Sequence, residues 1–453
     1  MSRRQRRQKK QSKKNHGGLW LRLLGVAMVL ITIALGGSYL WLRQWLHSDE
    51  FRLMLSDQAG RAMQAEAEFG SFNWDGMTVQ TKSFTATGDS TLSELRADGL
   101  SIHIGLDQIR SRIVNLNHAS ITQLDTVMDF RDTGDAEPEP ASETTAKEEA
   151  WYDRFLPQEI ILTELKIGQS SVRALIDSGT IAFSGTSWVV HPNHSSGGYD
   201  IVGKKGTLTT PWAFVPEMHL DRARIRYDSD TLFLTDSRFH LYNRGVLDLT
   251  GEASTKSDGF SFNGELYDVM ANEVLPEDWK QRLTGQIESD FRVYDRGHGV
   301  TVNGSLKLRN GVLTGLPVLD ALGAYGGNPR FRRLTLSEAS VDYRWHDGET
   351  LLTNFKLGSE GLMHVEGKLR ISPDEKLDGQ FRVGLTPGTL ALIPGAETDV
   401  FLAGERGLRW APLRITGTLD DPKEDLTERL IAAAGMRMFE VLPQTGERVL
   451  KFS

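Results

Sequence analysis

The stretch VTVNGSLKLRNGVLTG, residues 300–315, decides the fold. Within it Val302, Gly304, Leu306 and Leu308 alternate with Asn303, Ser305 and Lys307. Successive side chains of a strand point to opposite faces, so the apolar residues and the glycine share one face. The core of this stretch, apolar-x-Gly-x-apolar, recurs along the chain. It reads Leu249-Thr-Gly251-Glu-Ala253, Phe262-Asn-Gly264-Glu-Leu266, Leu283-Thr-Gly285-Gln-Ile287 and Val302-Asn-Gly304-Ser-Leu306. It returns as Val365-Glu-Gly367-Lys-Leu369, Leu377-Asp-Gly379-Gln-Phe381 and Ile415-Thr-Gly417-Thr-Leu419. The chain therefore builds the same half-wet strand many times. Around these copies, from Ile160 to Leu419, short alternating runs follow one another with turn residues between and few helical patterns. That spacing predicts a mainly β protein built on one large antiparallel sheet rather than on α/β units.

An open sheet of this kind has to cover its apolar face. Val302, Leu306, Leu308, Val365, Leu369, Ile371, Phe381 and Val383 are the expected lining of a groove on that face. Gly251, Gly264, Gly285, Gly304, Gly367, Gly379 and Gly417 are expected to shape it, because a glycine removes a side chain and permits tight coiling. Two occupants of the face remain open from the residues alone. Lipid tails would make it a slide, while a second layer of strands would make it the dry core of a scaffold.

The flanks of the β region place it. The chain has 453 residues and a net charge of −8. Residues 1–22 hold nine positive charges and no acid, which leaves −17 on the remainder. An acidic body argues against nucleic acid as its partner. Residues 23–42, LLGVAMVLITIALGGSYLWL, carry no charge. At ~1.5 Å per residue they make a helix of about 30 Å, the thickness of a bilayer's hydrocarbon core. Trp20, Trp41 and Trp45 sit where interfacial aromatics are found, and the basic cluster predicts a cytoplasmic N-terminus. A cleaved signal peptide is the rival; Trp41, Leu42 and Arg43 stand where small residues would precede cleavage.

Further along, residues 43–131 read as a helix over 44–68, with Leu46, Phe51, Leu55 and Met63 on one face, followed by strands. Residues 132–150 are acidic, contain two prolines and lack large apolar side chains, and read as a linker or loop. The main β region spans 151–421. Short helices are expected at 276–283 and 316–324. A C-terminal amphipathic helix is expected over 422–442, started by Pro422 and turning Leu426, Leu430, Ala433 and Met436 or Arg437 to one side, within a final segment 422–453.

Chemistry-bearing patterns are sparse. There are no cysteines, which excludes disulfides, thiolate metal sites and cysteine nucleophiles. Leu175-Ile176-Asp177-Ser178-Gly179-Thr180 matches the active-site turn of aspartic proteases, but that chemistry needs two carboxylates sharing a proton and the chain has one copy. The alternative is a hairpin turn. His191-Pro-Asn-His194 offers two metal ligands where at least three are needed, and a polar surface loop is the alternative. No phosphate-binding loop or Gly-x-Ser-x-Gly elbow occurs around Gly323, Gly326 and Gly327 or elsewhere. The expectation is a non-catalytic protein with no metal and no cofactor.

In this arrangement the chain resembles the AsmA-like family (the AsmA and TamB type) of Gram-negative envelopes. FGSFNWDGMTVQTKSF and LRADGLSIHIGLDQIRSRIVNLNHASITQL are similar to its N-terminal region. VTVNGSLKLRNGVLTGLPVLDALG, then FRRLTLSEASVDYRWHDGETLLTNFKLGSEGLMHVEGKLRIS and LDGQFRV, are similar to its C-terminal domain. The resemblance covers most of residues 19–420. It implies a long curled sheet whose concave side takes phospholipid acyl chains, anchorage in the inner membrane through residues 23–42 and a periplasmic body. It also implies a role in outer-membrane biogenesis or maintenance, with room for an envelope protein partner. It supplies no catalytic residues.

Overall fold

A computed structural model describes residues 44–88, 91–105, 113–131, 159–193, 197–212, 215–256, 259–315, 329–391 and 395–433. The basic tail 1–22, the apolar stretch 23–42, the acidic segment 132–150, the expected helix at 316–324 and residues 434–453 lie outside them. No helix among the described residues is long and apolar enough to cross a membrane.

The alternating runs form strands of one continuous, curved, 24-stranded sheet. Strands β1 (Glu66–Phe69) and β2 (Phe72–Asp75) both pair with β3 (Thr78–Thr87), which pairs with β4 (Leu92–Gly105), and β4 with β5 (Ile113–Asp129). Next come β6 (Glu159–Leu162), β7 (Leu165–Ile176), β8 (Gly179–Asn193), β9 (Gly198–Lys204), β10 (Thr207–Thr209) and β11 (Met218–Asp228). Here β9 and β10 act as two halves of one strand between β8 and β11. A meander follows through β12 (Thr231–Leu241), β13 (Gly245–Ser254), β14 (Phe260–Met270), β15 (Leu283–Asp295) and β16 (Thr301–Thr314). It continues through β17 (Arg333–Thr335), β18 (Glu338–His346), β19 (Glu349–Ser359), β20 (Met363–Ile371) and β21 (Leu377–Leu385). The last strands are β22 (Leu402–Ala403), β23 (Arg409–Gly417) and β24 (Pro422–Glu424).

One step departs from the antiparallel expectation. Strands β6 and β7 run parallel to β5, with Ile113 opposite Glu159 and Asp129 opposite Leu175. A parallel neighbour needs a crossover of a dozen residues or more. The connection holding the acidic segment thus joins opposite rims of the sheet, and the strands on either side of it belong to the same sheet.

Helices close both edges. Helix α1 (Asp49–Met63) starts where Ser48 accepts the Phe51 N–H and ends in left-handed Gln64. The expected helix ran to residue 68, but residues 66–69 are strand β1. Its buried side is also smaller than the apolar spacing predicted. Ser56 and Gly60 are buried, Ser56 Oγ accepts the Phe69 N–H at 3.0 Å, and a Cβ on Gly60 would meet the Ala65 carbonyl at 2.6 Å. Small residues are required because the helix lies almost against the strand backbone. Before the expected helix at 276–283 stands an unforeseen turn of helix, α2 (Ala271–Val274); the expected one shortens to α3 (Glu277–Lys280), because Leu283 already begins β15; α4 (Pro387–Leu390) lies beyond β21.

At the far edge the structure corrects the role of Pro422. It belongs to edge strand β24, opposite Gly417, and the helix occupies 426–433. Asp425 accepts the Arg414 N–H at 2.8 Å, Arg429 donates to the Pro412 carbonyl, and Glu424 accepts the Leu426 N–H at 2.7 Å. These contacts and the short, charged β24 satisfy an edge that would otherwise template another strand.

Candidate functional site: an apolar lane across the sheet

Residues directly opposite in neighbouring strands share a face. Followed from strand to strand, one such row runs Phe72, Thr81, Leu100, Ile121, Ile167, Trp188, Gly203 and Ala223. It passes Ser237, whose hydroxyl donates to the Leu249 carbonyl, and continues as Leu249, Gly264, Phe291, Gly304, Tyr343, Leu352, Leu369, Gly379 and Ile415. A second row beside it reads Leu220, Phe239, Leu247, Leu266, Ser289, Leu306 and Val341. At ~4.8 Å per strand the first row measures roughly 80 Å along the curl.

All eight residues expected to line a groove lie on this face. Val302 stands opposite Val293, Leu306 opposite Ser289 and Leu308 opposite Ile287. Val365 stands opposite Val383, Leu369 opposite Gly379, and Ile371 opposite Leu377; Phe381 packs edge-on to Phe355 at 5.5 Å. Seven of the eight are half-buried, and only Val383, 8% exposed, is buried. A sandwich core would bury them all. The buried clusters along the face are joined: Leu308 packs against the cluster around Leu247 and against that around Leu334, and Met363 links the latter to the one around Val383 and Phe401.

Four of the seven repeat glycines lie under rings rather than opening the groove. A Cβ on Gly251 would meet the Phe262 ring at 2.5 Å, and one on Gly367 would meet the Phe381 ring at 2.5 Å. A Cβ on Gly379 would stand 2.9 Å from the Phe381 ring, and one on Gly264 would run into the Phe291 ring itself. Trp188 covers Gly203 in the same way. Each ring but one comes from the residue directly opposite its glycine (Phe381 over Gly379 comes from the same strand), so flat rings floor the lane. The other three glycines serve the backbone, and a Cβ on Gly304 would run into the Asp290 carbonyl. Gly285 (φ 144°) stands opposite a bulge at Asn310 (φ 52°), and Gly417 (φ 90°) opens the turn into β24.

The opposite face is polar and laced with cross-strand ion pairs. Arg238 grips Asp248 with two bonds of 2.7 Å, and Tyr267 donates to the same carboxylate at 3.0 Å. The guanidinium holds Asp248 below the usual carboxylate range. Arg222 pairs with Asp236 at 2.9 Å, and Arg309 with Glu288 at 2.8 Å. Exposed pairs of this kind contribute little stability each. Their consequence is a face that stays wet. A shallow cavity of about 700 Å³ lies against β19–β21, walled by Lys356, Glu366, Lys368, Gln380 and Arg382 over Gly367.

Other sequence candidates are dispersed. Asp177 lies on the exposed turn between β7 and β8. The neighbouring carboxylate, Asp129, is bonded by Arg131, which lowers it to about 2. That guanidinium also feels Asp177. A carboxylate engaged by a guanidinium is not one that shares a proton with a partner. His191 is in strand β8 rather than in a loop, with its Nε2 3.9 Å from Glu164, and His194 lies outside the described residues. No group of three or more metal-ligating side chains occurs among the described residues.

Because Asp129 is lowered in the folded chain, its contribution is present above its usual value of 3.8 and is lost as pH falls through about 2. In Arg131→Gln, an NMR titration of Asp129 is expected to move up toward the usual carboxylate range, and the amide of Phe130 to lose protection at a higher pH than in the native chain.

The residues that the repeat left unmarked are the ring partners Trp188 and Phe291, Tyr343 opposite Gly304, and the early half of the lane, Leu100, Ile121 and Ile167. Their signal was ordinary strand alternation; their position on the lane depends on register. No protein-family model, no curated protein and no solved structure matches this chain.

Proposed function

We propose that this is a membrane-tethered, non-catalytic protein that holds phospholipid by its acyl chains along the apolar lane and lets it move there. In this proposal residues 23–42 anchor it in the inner membrane with the N-terminus cytoplasmic. The sheet stands in the periplasm and serves outer-membrane biogenesis or maintenance, with an envelope protein as a partner at the far side. The observation that supports it is the continuous row from Phe72 to Ile415, apolar or glycine at every strand except at Thr81, Ser237 and Tyr343, together with the half-buried lining of the later strands. Each methylene transferred to such a surface contributes roughly 0.8 kcal/mol. A two-tailed lipid is thereby retained, while a surface uniform from strand to strand leaves no deep minimum to trap it.

The test is photo-crosslinking in membranes with a reactive amino acid at Leu306 or Phe381, followed by mass spectrometry of the adduct. Phospholipid adducts at these lane positions, and none at Lys307 on the polar face, are the expected result. Lane positions that capture no lipid would sink the proposal.

A further inference from the structure

The lane is covered at its last strands. Leu390, Ala396, Val400 and Phe401, between 0 and 9% exposed, pack on Val383 and Ala411 of the lane face, and Ala433 of the C-terminal helix joins them. The two parts of this cover touch where a Cβ on Gly395 would stand 2.8 Å from the Ala433 carbonyl. This is why Val383 is buried while the other expected lining residues are not.

The cover is fastened from the opposite, polar face. After Phe401 the chain makes the short strand β22, passes Arg406 and returns as β23. Arg406 holds φ 58° and ψ 21°, a left-handed conformation that a non-glycine residue seldom adopts unless its surroundings impose it. Its Nη1 donates to His364 Nε2 at 2.9 Å, and His364 is 6% exposed. Around this contact, Glu366 lies 3.4 Å from the same histidine nitrogen and is gripped by Arg382. Arg382 stacks over Trp410 at 4.5 Å, and Trp410 donates to the Glu405 carbonyl at 3.2 Å. A second tie, Arg409 to Glu397 at 3.0 Å, runs directly into the cover.

The geometry points to a latched gate: the Arg406–His364 contact holds the cover over the end of the lane, and its release uncovers Val383 and Ala411. The inference rests on the lipid-lane proposal and adds its regulation. The loop from residue 402 to 408 is exposed at Leu402 through Gly407 and lies outside the main ladder, so opening is local and leaves the ladder from β12 to β21 intact. Losing one charge-assisted hydrogen bond is enough to change the open population about tenfold.

The chain has no cysteine, so a single introduced thiol reports on the gate without background. Full-length Ala396→Cys in membranes, with Ala411→Cys as a second reporter on the sheet side, is labelled with a maleimide, alone and combined with Arg406→Ala or His364→Asn. Labelling about tenfold faster with either latch substitution, at unchanged circular dichroism, is the expected result. Equal rates with and without the latch overturn the gate. A photo-crosslinker at Val383 is then expected to capture phospholipid well only with Arg406→Ala, and one at Leu306 in both backgrounds. Lipid absent at Leu306 in both overturns the lane itself, whereas lipid at Leu306 with unchanged thiol labelling overturns only the gate.

Discussion

Phe291→Ala is expected to lower the stability of the central strands by about 3 kcal/mol, the usual scale for removing a phenyl ring from packed surroundings. Gly264→Ala alone is expected to cost about 1–3 kcal/mol, because its new methyl group runs into that ring. Together the two are expected to be milder than their sum. With the ring gone, the three atoms nearest that methyl group are gone too, and alanine favours the strand over glycine by about 0.5–1 kcal/mol. The double-mutant cycle therefore carries a coupling on the order of 1–3 kcal/mol. Hydrogen exchange of the amides in β14, β15 and β16 measures it locally, without assuming that so long a sheet unfolds in one step. Additive costs would mean that the glycine is present for backbone reasons and that the ring over it is incidental.

Leu306→Asp is expected to reduce phospholipid co-purified per chain by about tenfold or more while leaving the fold in place. Leu306 is half-buried near the end of the second row, between Ser289 and Val341. A carboxylate there faces either acyl chains, which cannot solvate it, or water, which must then enter the lane; both break the apolar path. Lys307→Asp, one residue on and pointing to the polar face, is the control and is expected to bind lipid normally. Quantifying extracted lipid against protein distinguishes them. Equal loss in both variants would point to a general electrostatic effect and not to the lane.

Much of the architecture was written in local pattern. Alternation at Val302, Leu306 and Leu308 is enough to make a strand with one apolar face, because the two-residue repeat of side-chain direction is a property of extended backbone. The same reasoning places Val365, Leu369, Ile371 and Phe381 together. The helix over 426–433 turns Leu426, Leu430 and Ala433 toward the sheet, as their spacing predicted. Register was not legible. Leu352 and Phe355 are three apart, as are Leu266 and Val269, yet both pairs keep to one face because bulges at Asn354 (φ 51°) and Asp268 (φ 59°) each insert a residue. A short polar residue in the left-handed region is a weak signal when read alone, since Asn and Asp are equally common in turns.

The sequence by itself determined that this chain makes glycine-punctuated strands with one greasy face, because propensity and side-chain alternation act within a few residues. Tertiary structure decided the rest. It decided which ring lies over which glycine, that β5 and β7 run parallel, that the two faces become an apolar lane and an ion-paired exterior, and that the lane's end is covered. Those outcomes depend on which strands become neighbours, and that choice is made by contacts between residues tens to hundreds of positions apart.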